Sequence, residues 1–437
     1  MRRFNRYHVI AGVGFIMLAG LWLAALIPRI AQTYLEDDLL WAIPLVNTLS
    51  QTETWGNLFS LFHAGELTLF DGAYFIVLKK LFGFNFPAYA AMGVAVQFIN
   101  SILLFLLLSR RMKCSFSASM CAAVLYLTFY GHFHAYLWPM AFHHLIIVTF
   151  FLVIIYFYLK TNECADAKGD HRGSFYWVLG FSLLAVPMRL SIVLLPLMMA
   201  GHLVWTMGNT DRLMGRFRLW RPVLILLSVY PCVVVLLGNT GDVLSGLLKP
   251  LRSLAIGSGV AAVLIAAGIS IGFWYLFGLL LYQHAWARKM KSALQVLVWV
   301  IPLVTGLLPL CLWLWAIALA DALGGEAFGR WQIMSLPTQG WMWFLVWAMM
   351  AVIYCCFMRS LPKSPHMVIF LIWFLLLVPY LGGKATQMPS RYLIYITPIF
   401  AALVSVTMVD FLPRRWGMVA VAAIVGVSML NIGAIII

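Results

Sequence analysis

The sequence predicts an all-α polytopic membrane protein of about 13 transmembrane helices, with an outer loop carrying interfacial helices after the first span. Three observations predict it. Hydrophobic residues make up 64% of the 437 residues and charged residues only 10%, with a mean hydropathy of +0.96, whereas a soluble domain carries roughly 25% charged residues. Apolar runs of near-spanning length recur along the whole chain. Lys and Arg gather in clusters between those runs. So little polar surface excludes a soluble enzyme, a disordered chain and a secreted disulfide scaffold.

The net charge of +15 comes from 29 Lys and Arg against 14 Asp and Glu. In a soluble protein it would suggest nucleic acid. Here the basic residues punctuate spans, and no basic stripe is interleaved with exposed aromatics, so nucleic acid is excluded as a partner. The seven cysteines, at 114, 121, 164, 232, 311, 355 and 356, show no CxxC spacing. They read as apolar filler or cytoplasmic thiols.

The elements follow in order. A first span, about Val9 to Ile27, comes after Arg2, Arg3 and Arg6 and lacks a small-residue cleavage site. It reads as a retained signal anchor with the N-terminus cytoplasmic. Residues 29–87 form the first extracytoplasmic loop. Within it Phe70 to Phe82 is apolar but interrupted by Lys79 and Lys80, which suits an interfacial helix. A second span, Ala88 to Leu108, ends at Arg110, Arg111 and Lys113, placed inside. The third runs from Phe116 to about Trp138, and the fourth from Met140 to Leu159, ending at Lys160, Lys168 and Arg172. Ser174 to Met207 is one apolar stretch with basic clusters at both ends. Both ends inside demands an even number of crossings, so the stretch divides into two short helices turning near Pro187, Met188 and Arg189. A cytoplasmic loop with Arg212, Arg216, Arg218 and Arg221 follows. Seven more spans bring the C-terminus outside, with 20 basic residues inside and 9 outside. The whole chain, 1–437, reads as a single transmembrane domain.

Four constellations could carry chemistry. Glu36, Asp37 and Asp38 lie just beyond the first span. Adjacent carboxylates raise one another's pKa, and neighbours on a helix point about 100° apart. One of Asp37 and Asp38 can therefore face a cavity while the other pairs; the bland alternative is a solvated acidic loop. His132, His134, His143 and His144 lie within thirteen residues of a predicted outer loop. No acid is near them in sequence, so interfacial rings or phosphate-contacting groups fit better than metal ligands. Arg189, Lys384 and Arg391 are cations at the outer membrane edge. A guanidinium there can grip a phosphate, or snorkel to headgroups. Glu53, Glu66, Asp71, Asp321 and Glu326 read as solvated loop residues. Walker-type, GxSxG, HExxH and dinucleotide patterns are absent from the sequence.

In order along the chain, these features resemble the GT-C superfamily of membrane glycosyltransferases, which includes protein O-mannosyltransferases and the lipid A aminoarabinose transferase. The acidic pair Asp37-Asp38 follows the first span. LFGFNFPAYAAMGVAVQFINSILLFLLLSRRM at 81–112 resembles a short turn leading into a basic-ended second span. AAVLYLTFYGHFHAYLW is similar to the family's third-span ending, LLAVPMRLSIVLLPLMM to its short hairpin, and PSRYLIYITPIF to its late segment. The likeness covers roughly residues 1–205 well and the later half loosely. Many members have Asp-Glu where this chain has Asp37-Asp38 preceded by Glu36.

The resemblance implies transfer of a hexosyl or pentosyl group from a polyprenyl-phosphate-sugar donor to the hydroxyl of a lipid, glycan or protein acceptor. The reaction takes place on the non-cytoplasmic face, in a bacterial inner membrane. Asp37 or Asp38 is the expected catalytic base. Arg189, with Arg391 or Lys384, is expected to hold the donor phosphate. Glu36, His143, His144 and Tyr392 are candidate substrate contacts. No cofactor is demanded. The adjacent carboxylates suit a divalent metal, Mg or Mn, but fixed cations at the rim weigh against it. Two rival readings are a lipid-linked glycan transporter or flippase, and a glycan polymerase or ligase. The first calls for charges deep within several spans. The second calls for a long, late outer loop rich in Arg and His, and residues 316–340 hold only Arg330.

Overall fold

The computed structural model describes most of residues 77–129, 142–185, 194–237, 365–373 and 394–411, with scattered residues in 14–25 and 417–429. All belong to one unit, Met1–Asp242 with Ser360–Trp373 and Ser390–Ile437. Every element among the described residues is helical.

Helix α1 runs from Phe86 to Leu106 and continues as a wider π turn over Leu107–Arg111. Pro87 suits its first turn, where an amide hydrogen has no helical partner. The preceding turn needs Gly83, whose φ of +61° is strained for other residues, and Tyr89 donates to the Gly83 carbonyl at 2.9 Å. Helix α2, Phe116–Thr128, starts at Ser115, whose hydroxyl accepts from the Ala118 amide. Helix α3 is Phe142–Asp166, α4 is Arg172–Ala185, α5 is Leu194–Thr206, α6 is Thr210–Leu237 and α7 is Thr397–Phe411. Two stretches, Pro87–Arg111 and His144–Asp166, are long and apolar enough to cross a membrane.

Packing follows residue size and polarity. Helix α2 lies against α7, and both bury small residues: Ala118, Ala122 and Ala123 on one, Ala401, Ala402 and Ser405 on the other. Small side chains let two helix backbones approach closely. Helix α1 packs on α2 and α3, α3 on α4, and α6 on both α4 and α5. Polar residues join the first three helices. Gln97 donates to the Tyr126 carbonyl at 2.9 Å, Asn100 donates to Leu145 O at 3.0 Å and accepts from Thr149 at 2.6 Å, and Ser101 donates to Ala123 O.

Three expected boundaries change. The fourth span does not stop before Lys160. Helix α3 runs on to Asp166, because Tyr158, Asn162, Glu163 and Asp166 all find partners on neighbouring elements. Lys160 stays on the helix, its ammonium 5.9 Å from the Phe157 ring centre. The segment from Arg212 to Arg221 is the start of α6, not a loop. Arg216 and Trp220, four residues apart, turn inward together, while Arg212, Arg218 and Arg221 are exposed. The third span's described helix ends at Thr128 with Phe129 extended, and residues 130–141 lie outside the described residues. The stretch from Ser174 to Met207 contains two short helices, α4 and α5. Its expected turn at Pro187, Met188 and Arg189 is outside the described residues.

Candidate functional site

The end of α1, the end of α3, the end of α5 and the start of α6 meet at one end of the bundle through polar contacts. The opposite end carries the start of α3 and the approach to α7. Both ends concentrate buried polar groups.

At the opposite end, the His144 imidazole is 1% exposed, and its Nδ1 lies 2.7 Å from the Tyr395 hydroxyl. The two rings meet edge to face, with centres 5.4 Å apart. Phe129 closes the end of α2 against Phe400, centres 5.3 Å apart. Tyr395 sits in the turn just before α7, four residues after Arg391 and three after Tyr392. A buried imidazole and phenol bonded this way hold the start of α3 to that turn.

Of the expected site residues, His144 is the one whose side chain the structure describes. The backbone of His143 is in α3. Glu36, Asp37, Asp38, Arg189, Lys384, Arg391 and Tyr392 lie outside the described residues, as do His132 and His134. No group of three or more His, Cys, Asp and Glu able to hold a metal occurs among the described residues. Cys121 and Cys164 are free thiols.

The basic end holds an arrangement that the sequence reading did not single out. Arg111 donates to Glu163 at 2.7 Å and to the Tyr156 hydroxyl at 3.2 Å, with its guanidinium 4.8 Å from the Tyr156 ring centre. Arg216 pairs with Asp166, and Trp220 donates to Asn162 at 3.0 Å. Behind these, Tyr158, His202 and His366 form a hydrogen-bonded line. The two ion pairs differ in worth. Asp166 is 64% exposed, so its pair falls in the range of about 0–1 kcal/mol. Arg111 and Glu163 are mostly buried, and losing one partner strands the other. Burial holds His366 below the ordinary imidazole range. Glu163 and Asp166 pull it up, and Lys113 pushes it further down.

Some of this was open to inspection in the sequence. Gln97, Asn100 and Ser101 stand at i, i+3 and i+4 in an otherwise apolar helix, the pattern of one polar stripe facing a neighbour. Tyr395, His202 and His366 carry no comparable local signal. Comparison of the chain with protein-family models, with curated proteins and with solved structures gives no match.

Proposed function

We propose that this chain is an inner-membrane glycosyltransferase of the GT-C type, with about 13 spans, a cytoplasmic N-terminus and an extracytoplasmic active site. It moves a sugar from a polyprenyl phosphate to an acceptor hydroxyl. The ordered likeness of residues 1–205 supports the reading. So does one contact, the 2.7 Å bond from His144 to Tyr395. It ties the histidine-rich outer segment to the stretch that carries Arg391 and Tyr392, two regions the proposal needs at one rim.

In the proposed reaction the acceptor oxygen attacks the anomeric carbon as Asp37 or Asp38 takes its proton. The bond from that carbon to the donor phosphate oxygen breaks, and the configuration inverts. Charge gathers on the leaving polyprenyl phosphate, where Arg189 with Arg391 or Lys384 stabilises it. The lipid tail stays in the bilayer.

The test is transfer from radiolabelled polyprenyl-phosphate sugars by purified protein, scanning donor head groups. Asp37→Asn or Asp38→Asn is expected to lower transfer at least about 100-fold, the scale on which a positioned base acts. Full transfer in both variants at normal protein levels would sink the mechanism.

A further inference from the structure

Three titratable side chains at the basic end form one hydrogen-bonded line that the transferase reading leaves unused. His366 Nδ1 lies 3.1 Å from His202 Nε2. His202 Nδ1 lies 2.9 Å from the Tyr158 hydroxyl, which donates to the Met199 carbonyl at 3.2 Å. Tyr158 and His202 are buried, and His366 is partly exposed. The line runs from α3 through α5 to the short 3-10 helix Pro365–Met367.

Counting hydrogens restricts its states. With the Tyr158 proton on Met199, its oxygen accepts from His202 Nδ1–H. His202 Nε2 is then a bare acceptor for His366 Nδ1–H. One further proton fits on His366 Nε2 without breaking a bond. A second does not fit, because two N–H groups would face each other across 3.1 Å.

We propose that Tyr158, His202 and His366 form a proton-binding latch that fastens residues 365–373 to the bundle near neutral pH and releases them on acidification. The surrounding charges are largely committed. Glu163 of α3 is paired with Arg111, and Asp166 of α3 with Arg216 of α6. Lys113, just past the π turn, opposes a cation on His366, while Glu163 and Asp166 favour one. Burial outweighs that attraction and keeps the folded His366 below its ordinary value. An opened His366 protonates from about pH 6.5 downwards. The stability of the closed latch is therefore full above that pH and falls as pH drops below it. Apolar contacts complete the hold. Trp373 stacks on Phe151 with centres 4.9 Å apart, and Ile372 lies against Gly201 of α5.

The latch stands independently of the transferase reading, and its test needs no substrate. Full-length protein in lipid nanodiscs is followed by amide hydrogen exchange of peptides spanning 365–373, corrected for intrinsic pH dependence. The opening constant is expected to rise more than about tenfold per pH unit below about pH 6.5, because two protons are taken up. In His366→Asn the amide nitrogen can replace Nδ1 without titrating, and the slope is expected to fall to about tenfold per unit or less. A flat wild-type profile, or equal slopes in both proteins, overturns the latch. If His366→Asn does not fold, exchange of the imidazole C2 hydrogen in the wild-type protein reads each histidine's titration. The His366 midpoint is expected to coincide with loss of protection at 365–373, and separation by more than about one pH unit overturns the proposal.

Discussion

Asn100 uses both ends of its amide, donating to Leu145 O and accepting from Thr149 Oγ1, and it is fully buried between α1 and α3. A buried amide stripped of such partners carries its whole desolvation cost. In a membrane the unfolded reference also finds partners, so each interhelical hydrogen bond averages less than about 1 kcal/mol. Asn100→Ala removes two of them together with packed volume. It is expected to destabilise the protein by about 1–2 kcal/mol, read as a lower thermal midpoint in detergent with the helical signal intact. An unchanged midpoint would mean that α1 and α3 are held by shape alone. The stripe of Gln97, Asn100 and Ser101 was visible in the sequence as a periodic pattern. Its acceptors were not, because Tyr126, Leu145 and Ala123 offer backbone carbonyls, which every residue has.

Elements meet here where side chains are small. The glycines show how much room is left. A Cβ on Gly201 would touch the Ile372 Cδ1 at 3.0 Å, the mobile end of a side chain. A Cβ on Gly417 would run into the Met408 carbonyl, 2.6 Å from its carbon, which is backbone that cannot turn aside. Gly201→Ala also gains helix propensity of about 1 kcal/mol and is expected to stay within about 1 kcal/mol of the parent. Gly417→Ala is expected to cost about 2–3 kcal/mol. Unfolding midpoints of the two variants in the same detergent decide it, and equal midpoints would contradict the packing described for α7. The spans around 86–111 and 142–166 were legible from hydropathy. The π turn at Leu107–Arg111 was not. It closes through Lys113 at φ +56° and the Cys114 amide on Leu108 O. It ends at Arg111, whose partner, Glu163, lies 52 residues away.

At the scale of the whole molecule, the described unit is an apolar helical bundle with buried polar groups at each end. Among the described residues, two helices are long and apolar enough to cross a bilayer. Large apolar side chains such as Leu18, Leu21, Trp177, Leu184 and Val204 are more than half exposed. Exposed apolar surface of this kind marks a contact with a membrane or with another protein surface. The protein is expected to remain with the membrane pellet after a high-pH carbonate wash and to require detergent for release. Recovery in the wash would overturn the membrane reading at its root.

The sequence alone determined the type of element. With 64% hydrophobic and 10% charged residues, apolar runs of this length satisfy their own backbone polar groups best as helices, and hydropathy is a local property. Tertiary structure decided which polar side chains meet. His144 finds Tyr395 across 251 positions, and His202 finds His366 across 164. Neither pairing follows from local pattern, because a histidine on an apolar helix satisfies the same rules with many partners, and only the packing of distant helices brings one of them within reach.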